Sequence, residues 1–256
     1  MAWQALLSDV AGVPLRLEHR VVLAATVWLA YVLDRWIEGW RLHWRDIRTQ
    51  RHHFYQRHRW PVAIVWAVVA LADIALALSA LPARDLLAGA LLLVPVLLYL
   101  LSHQLVHRHR RWRAPKELIV AALVTCGAAI FVTATAQPGA VLSSASLIGL
   151  VCFTNCALIS AWEREVDESH GQTSLAIDAA EHHWVFSQLP WLVAVIAALA
   201  CVETTADARV VAACVSASAV FLALIDRAEP RIGWHAARVL ADVALLTPLV
   251  PLWWWR

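Results

Sequence analysis

The sequence predicts an all-α protein, a polytopic membrane bundle of about eight transmembrane helices. Hydrophobic residues make up 61% of the chain and the mean hydropathy is +0.62, whereas a soluble domain is about 45–50% apolar. Eight stretches approach the roughly 20 apolar residues that a helix needs to cross the hydrocarbon layer. The segments between these stretches carry helix breakers, including three prolines: Pro82, Pro115 and Pro230.

The first half of the chain contains four of these predicted spans. The first, 21–40, ends at a segment rich in Arg and His, and the second, 60–81, ends before Pro82. The third, 85–103, runs into another basic segment, and the fourth, 117–136, follows Pro115. Each predicted helix is therefore bounded by charge or by proline, residues that the hydrocarbon layer or the helix itself disfavours.

The second half contains the other four spans. A Gln-Pro-Gly turn at 137–139 separates the fourth span from the fifth, 140–160. The sixth, 183–201, and the seventh, 210–225, follow. The eighth, 236–255, ends in three tryptophans that suit an interfacial aromatic belt. No soluble domain fits between any two spans.

The first 19 residues differ from the rest of the chain. They lack the basic start followed by an apolar run that a cleaved signal peptide has. We therefore expect an N-terminal interfacial arm over residues 1–19 and a transmembrane helical domain over residues 20–256.

The basic residues predict the orientation. Fifteen of the 21 Lys and Arg residues lie after odd-numbered spans, five lie on the opposite side, and Arg35 lies inside the first span. Basic loops stay in the cytoplasm, so the odd-numbered loops are predicted to be cytoplasmic and both termini to lie outside. A cell inner membrane is the expected location.

Spaced carboxylates end two of the spans on the predicted cytoplasmic side. Asp34 and Glu38 stand four residues apart, as do Glu163 and Asp167, so each pair shares one helix face. If the two faces meet, four carboxylates surround one cavity and repel each other unless a cation lies among them. Hard oxygen ligands of this kind suit Mg²⁺, which also bridges to substrate phosphates.

The charges at these helix ends also have a structural interpretation. Charged residues at the ends of membrane helices reach the headgroup layer cheaply, and Arg35 could simply pair with a neighbouring acid. Asp34 favours function, because an acid within an apolar span is costly. The basic loops have two interpretations as well: they contact anionic lipids, or they bind a diphosphate. Arg113 and Lys116, beside the start of the fourth span, are the better diphosphate candidates.

These strings resemble the motifs of the UbiA-type intramembrane prenyltransferases. Asp34-Arg35-x-x-Glu38-Gly39 resembles the second half of that family's Asn-Asp-x-x-Asp-Arg-x-x-Asp-Gly motif. The string from Glu163 to Ser174 is similar to the family's second motif, Asp-Arg-x-x-Asp-x-x-x-Gly-x-x-Ser, at matching spacing. The order of the helices that carry the two motifs also agrees.

The resemblance implies a UbiA-like helical bundle around a cavity open to lipid, with a Mg²⁺-dependent reaction. It implies as substrates a polyprenyl diphosphate and a lipid-soluble or amphipathic acceptor, which receives the prenyl group. Carried over by position, the metal ligands and catalytic residues are Asp34, Glu38, Glu163 and Asp167. The diphosphate contacts are Lys116, Arg113 and the two motif arginines, Arg35 and Arg164.

The chain departs from the family pattern at several positions. Ala30 and Tyr31 occupy the places of the leading Asn-Asp, and Glu replaces Asp at Glu38 and Glu163. Each Glu keeps the charge but carries it one methylene farther from the backbone. The sequence therefore also allows a protein that binds without catalysing.

Two further interpretations stay open from the sequence. Many histidines lie in the predicted cytoplasmic loops, as in membrane di-iron oxidases, but the spacing of their boxes is absent and arginines surround the histidines. A transporter-like protein is the other alternative, since Asp73 and Asp242 lie within spans. Each of these acids could equally pair with a neighbouring helix.

Overall fold

The computed structural model describes residues 1–41, 50–105, 115–134, 138–169, 174–179, 181, 183–204 and 206–254. The described residues form helices joined by turns, with no strand among them. The helices are α1 (Ala2–Val10), α2 (Leu17–Arg41), α3 (Gln50–Arg57), α4 (Arg59–Ala80), α5 (Ala83–Leu105), α6 (Lys116–Thr133), α7 (Pro138–Trp162), α8 (Arg164–Ser169), α9 (Leu175–Asp178), α10 (His183–Glu203), α11 (Ala206–Ile232), α12 (Trp234–Ala244) and α13 (Leu249–Trp254).

Six of these helices are long and apolar enough to cross a membrane. They are α4, α5, α6, α7, α10 and α11, which cover the second to seventh predicted spans. The prediction of an all-α, multi-pass membrane bundle is confirmed at this level, whereas the number eight stays a prediction.

The first and last predicted spans differ from the other six. α2 has 25 residues and is long enough to cross at 1.5 Å per residue, but Glu18, Arg20, Asp34 and Arg35 lower its apolar content. The last span is not one helix: a turn over residues 245–248 divides it into α12 and α13. Pro248 lies in this turn and lacks the backbone N–H that a continuous helix needs there.

Pro230 does not end the seventh helix, contrary to the sequence prediction. α11 continues through Pro230 to Ile232, because a proline in the last turn removes a single helix hydrogen bond. The helix ends at Gly233, whose φ of 80° suits glycine, and whose N–H donates to the Glu229 carbonyl at 2.8 Å.

The core of the bundle lies around α7, which packs against α6, α10 and α11, and α10 packs in turn against α11. Its fully buried side chains include Ile148, Val151 and Leu158 from α7 and Leu222 from α11. α4 lies at the edge and has no buried residue, as expected for an apolar helix with lipid as its solvent.

The predicted N-terminal arm contains a helix that packs into the bundle. α1 contacts α6, α7, α11 and α13, and its Gln4, Leu6 and Leu7 are at most 1% exposed. Gly12, at φ 64°, lies in the turn that follows α1. α1 therefore belongs to the packed core, while its place relative to a membrane interface stays a prediction.

Candidate functional site

A cavity of about 410 Å³ lies between α2, α5, α6, α7, α8 and α12, within the size range of small-molecule sites. Most of its wall is apolar. α2 contributes Val27 and Ala30, α5 contributes Val96, and α6 contributes Leu123 and Val124. These apolar residues lie toward one end of the cavity, and the charged side chains of the lining lie at the other end. The cavity is therefore suited to an amphipathic molecule.

Three acid–base pairs form the charged end. Arg238 Nη1 donates to Glu163 Oε1 at 2.6 Å, and Arg35 Nη2 donates to Asp34 Oδ2 at 2.5 Å. Lys116 Nζ lies 3.5 Å from Asp167 Oδ2. The carboxylates of all three pairs are buried, with residue exposures between 7% and 9%. Ions this far from water need such partners, because desolvation is costly.

Local helix geometry brings Glu163 and Asp167 together. α7 ends at Trp162, Glu163 follows it directly, and the Asp167 N–H donates to the Glu163 carbonyl at 2.9 Å. One helical turn therefore separates the two carboxylates and keeps them on one face, as their spacing predicts. Trp162 Nε1 also donates to Asp226 Oδ1 at 3.0 Å, which holds the end of α7 against α11.

Lys116 and Glu117 begin α6 directly after Pro115. Glu117 is 3% exposed, and its Oε1 accepts a hydrogen bond from the Leu175 N–H at 3.1 Å. Among the described residues no hydrogen-bond donor reaches its second oxygen, Oε2. Nearby, Ser160 Oγ accepts the Ala176 N–H at 3.3 Å. These two bonds tie the start of α9 to the cavity wall.

The surroundings of Asp167 favour its neutral form. Burial raises the pKa of this carboxyl, Lys116 opposes the rise, and the negative charges of Glu163 and Glu117 add to it. Asp167 lies in α8, outside the six spanning helices. A nearby cation would therefore stabilise its ionised form.

Not every predicted site residue lies in the cavity. Arg164 does not line it: it pairs with Glu168 at 2.9 Å on an exposed face of α8, because consecutive helix residues point about 100° apart. Arg35 does line the cavity. Arg113 and the side chain of Glu38 lie outside the described residues.

Sequence reasoning missed two charged wall residues, Arg238 and Glu117. Arg238 is one of the fifteen basic residues that predict the orientation, and it has no other role in the predictions from sequence. It nevertheless lies inside the eighth predicted span. An ionisable side chain within a span is itself a sign of function, and that sign was available in the sequence. Its pairing with Glu163, 75 residues away, depends on tertiary packing.

The carboxylate oxygens of the lining are ligands of the kind that Mg²⁺ binds. In the part of the chain that the structure describes, no three His, Cys, Asp or Glu side chains are grouped closely enough to hold a metal ion. Mg²⁺ does not need such a group, because it binds through one or two carboxylates, waters and substrate phosphates. The described lining carries four carboxylates against three basic side chains, so negative charge is in excess there if all are ionised.

The two intramembrane acids of the transporter alternative both contact neighbouring helices. Thr26 Oγ1 of α2 donates to Asp73 Oδ2 of α4 at 2.9 Å. Asp242 of α12 lies near Asn155 of α7. Of the histidines in or beside the predicted cytoplasmic loops, on which the di-iron alternative depends, the side chains of His52, His103, His107, His182 and His183 lie outside the described residues.

Comparison of the chain with protein-family models, with curated proteins and with solved structures gives no match. The resemblance to the UbiA-type prenyltransferases therefore rests on the motif residues and on the predicted order of the helices that carry them.

Proposed function

We propose that the protein is a UbiA-like membrane prenyltransferase, which binds a polyprenyl diphosphate in the cavity and transfers its prenyl group to a lipid-soluble or amphipathic acceptor. One observation carries the proposal. Asp34 of the first motif and Glu163 and Asp167 of the second are more than a hundred residues apart in sequence, yet they line the same cavity. Lys116, the predicted diphosphate contact, lines it with them.

The two ends of the cavity match the two ends of such a substrate. The diphosphate lies at the charged end, where Lys116, Arg238 and Arg35 present N–H donors suited to phosphate oxygens. The prenyl chain extends along the valines and leucines of α2, α5 and α6.

The number of acidic side chains in the lining supports a requirement for magnesium. A diphosphate adds several negative charges to a lining that already has more acids than bases, so its binding requires further cations. One or two of the motif acids Asp34, Glu38, Glu163 and Asp167 would hold Mg²⁺ together with the diphosphate, and the ion would stabilise the charge that builds on the leaving group.

The cavity residues also support the chemistry of transfer. The bond between the prenyl C1 and the diphosphate oxygen breaks, and its electron pair leaves with the diphosphate. The acceptor then forms a bond to C1 and loses a proton. The apolar wall, including Val27, Leu123 and Val124, excludes water that would otherwise capture the prenyl cation.

The distribution of basic residues supports an orientation for this site. With the odd-numbered loops in the cytoplasm of a cell with an inner membrane, the charged end of the cavity faces the cytoplasm. Soluble Mg²⁺ and released diphosphate then exchange with the cytoplasm, while the prenyl chain lies at membrane depth.

The test is Mg²⁺-dependent binding of farnesyl diphosphate to purified protein, in wild type and in Glu163→Gln/Asp167→Asn. We expect the double variant to bind at least tenfold more weakly, since loss even of a group that only supports a metal ligand typically costs 10–100-fold. Glu165→Gln is the matched control, because Glu165 lies between the two acids but is exposed. Equal binding by all three proteins would contradict the proposal.

A further inference from the structure

A polar patch lies in the wall of the cavity beside the three acid–base pairs. It consists of Glu117, in the first turn of α6, and Ser160, near the end of α7, and both residues line the cavity. Glu117 Oε1 accepts the Leu175 N–H, and Ser160 Oγ accepts the Ala176 N–H. Because these two N–H groups belong to consecutive residues, the carboxylate and the hydroxyl lie close together.

Glu117 differs from the other acids of the lining. Within the described part of the chain, the other three carboxylates each have a basic partner, whereas Glu117 has none. It is 3% exposed, and among the same residues no donor reaches its Oε2. A buried acceptor without a hydrogen bond costs free energy, so a ligand that brings a donor to Oε2 is stabilised there.

The position of Glu117 suits the second substrate of the proposed reaction. The charge of Glu117 acts on Asp167, at the charged end, and on Cys156, which lines the cavity about two helical turns before Glu163. The carboxylate therefore lies near the boundary between the charged end and the apolar wall, where the bond from C1 to the diphosphate also lies. A negative carboxylate repels phosphate oxygens and attracts O–H and N–H donors.

We propose that Glu117 binds the acceptor: its Oε2 accepts a hydrogen bond from an O–H or N–H group of the acceptor and takes up that proton during transfer. The acceptor is then an amphipathic alcohol, phenol or amine. This inference rests on the proposed function for the reaction, but the binding of a donor group at Glu117 does not.

Transfer at this site needs no further reagent. The bond from C1 to the diphosphate oxygen breaks, and its electron pair leaves with the diphosphate. A lone pair on the acceptor oxygen or nitrogen forms the new bond to C1. The O–H or N–H electron pair stays on that atom, while its proton passes to Glu117 Oε2 and later to water. A positioned base of this kind contributes about 10²–10⁴-fold to a rate.

The test compares two probes that differ in one donor, nonylphenol and its methyl ether. Their binding to the full chain in detergent micelles is measured with Mg²⁺, with and without the unreactive analogue farnesyl thiodiphosphate. Wild type is expected to bind the phenol about tenfold more tightly than the ether, because a hydrogen bond to a carboxylate is charge-assisted.

Glu117→Gln should reduce this preference to less than about twofold. Glutamine keeps a carbonyl oxygen for the Leu175 N–H, so the start of α9 stays in place, but it puts an NH₂ donor where Oε2 was. That donor bonds the oxygen of the phenol and of the ether alike. Glu165→Gln is the matched control, because Glu165 is exposed, and it should keep the preference of wild type.

Two results would overturn the inference. One is an equal preference for the phenol in wild type and in Glu117→Gln. The other is a loss of Mg²⁺-dependent farnesyl diphosphate binding in Glu117→Gln, since the residue would then hold the metal or the diphosphate instead of the acceptor.

The same measurements separate this inference from the proposed function. If wild type binds no farnesyl diphosphate but prefers the phenol, and Glu117→Gln removes that preference, the donor site is supported and the prenyltransferase proposal fails. If farnesyl diphosphate binds with Mg²⁺ but wild type does not distinguish the phenol from the ether, the proposed function stands and the role of Glu117 is wrong.

Discussion

The pair between Arg238 and Glu163 should contribute strongly to the stability of the bundle. It joins α12 to the end of α7 at 2.6 Å, with side-chain exposures of 27% and 9%. Replacing Glu163 with Gln leaves the arginine charge in a mostly buried position without its carboxylate. Replacing Arg238 with Met leaves the carboxylate there instead.

The size of the effect follows from the cost of burying an unpaired ion. Removing one partner of a buried pair destabilises a protein by about 3–5 kcal/mol. Because Arg238 is partly exposed, we expect values near the lower limit, about 3 kcal/mol, for either single variant. The double variant leaves no unpaired ion, so it should lose less than the sum of the two single variants, with a coupling energy of at least about 1 kcal/mol.

The assay is equilibrium unfolding of the purified protein in detergent micelles, for wild type, Glu163→Gln, Arg238→Met and the double variant. The pair between Arg164 and Glu168 provides the control, since its side chains are 40% and 47% exposed. Its removal should cost no more than about 0.5 kcal/mol. The reasoning is refuted if the two pairs cost the same, or if the effects of Glu163→Gln and Arg238→Met are additive.

Three further predictions concern other parts of the molecule. Because burial raises the pKa of Asp167, Mg²⁺-dependent ligand binding should fall as the pH is lowered through that raised pKa, above the range of a free aspartate. In Asp167→Asn this pH dependence should disappear from the binding curve. Leu6→Ala should lower the free energy of unfolding by about 2–5 kcal/mol, since Leu6 is fully buried. Leu17→Ala, at a residue 72% exposed, should change it by less than about 0.5 kcal/mol. Thr26→Val removes the hydrogen bond to Asp73 and should cost about 0.6–1.7 kcal/mol in the same unfolding assay.

Features that depend on neighbours along the chain were predictable from sequence. The apolar runs predicted the six long helices, because lipid requires about 20 apolar residues in a crossing helix. The spacing of Glu163 and Asp167 predicted their common face, because one helical turn separates them. Pro82 correctly marked the end of α4, since a proline disfavours helical geometry in the residue before it.

Features that depend on packing between helices were not predictable in the same way. Arg238 was not assigned to the site, because its partner Glu163 lies on another helix. The division of the last span at 245–248 was missed, although Pro248 was visible in the sequence. Burial of α1 was missed as well, because an apolar segment that packs into a bundle has the same composition as one that lies at an interface.

The central claim is that the two acid motifs act on one ligand in one cavity. Its most direct test is a double-mutant cycle on Mg²⁺-dependent farnesyl diphosphate binding, using Asp34→Asn, Asp167→Asn and both together, with Glu165→Gln as control. We predict that each single variant binds at least tenfold more weakly and that the double variant loses less than the product of the two effects. Full binding by Asp34→Asn, or independent effects of the two substitutions, would contradict the claim.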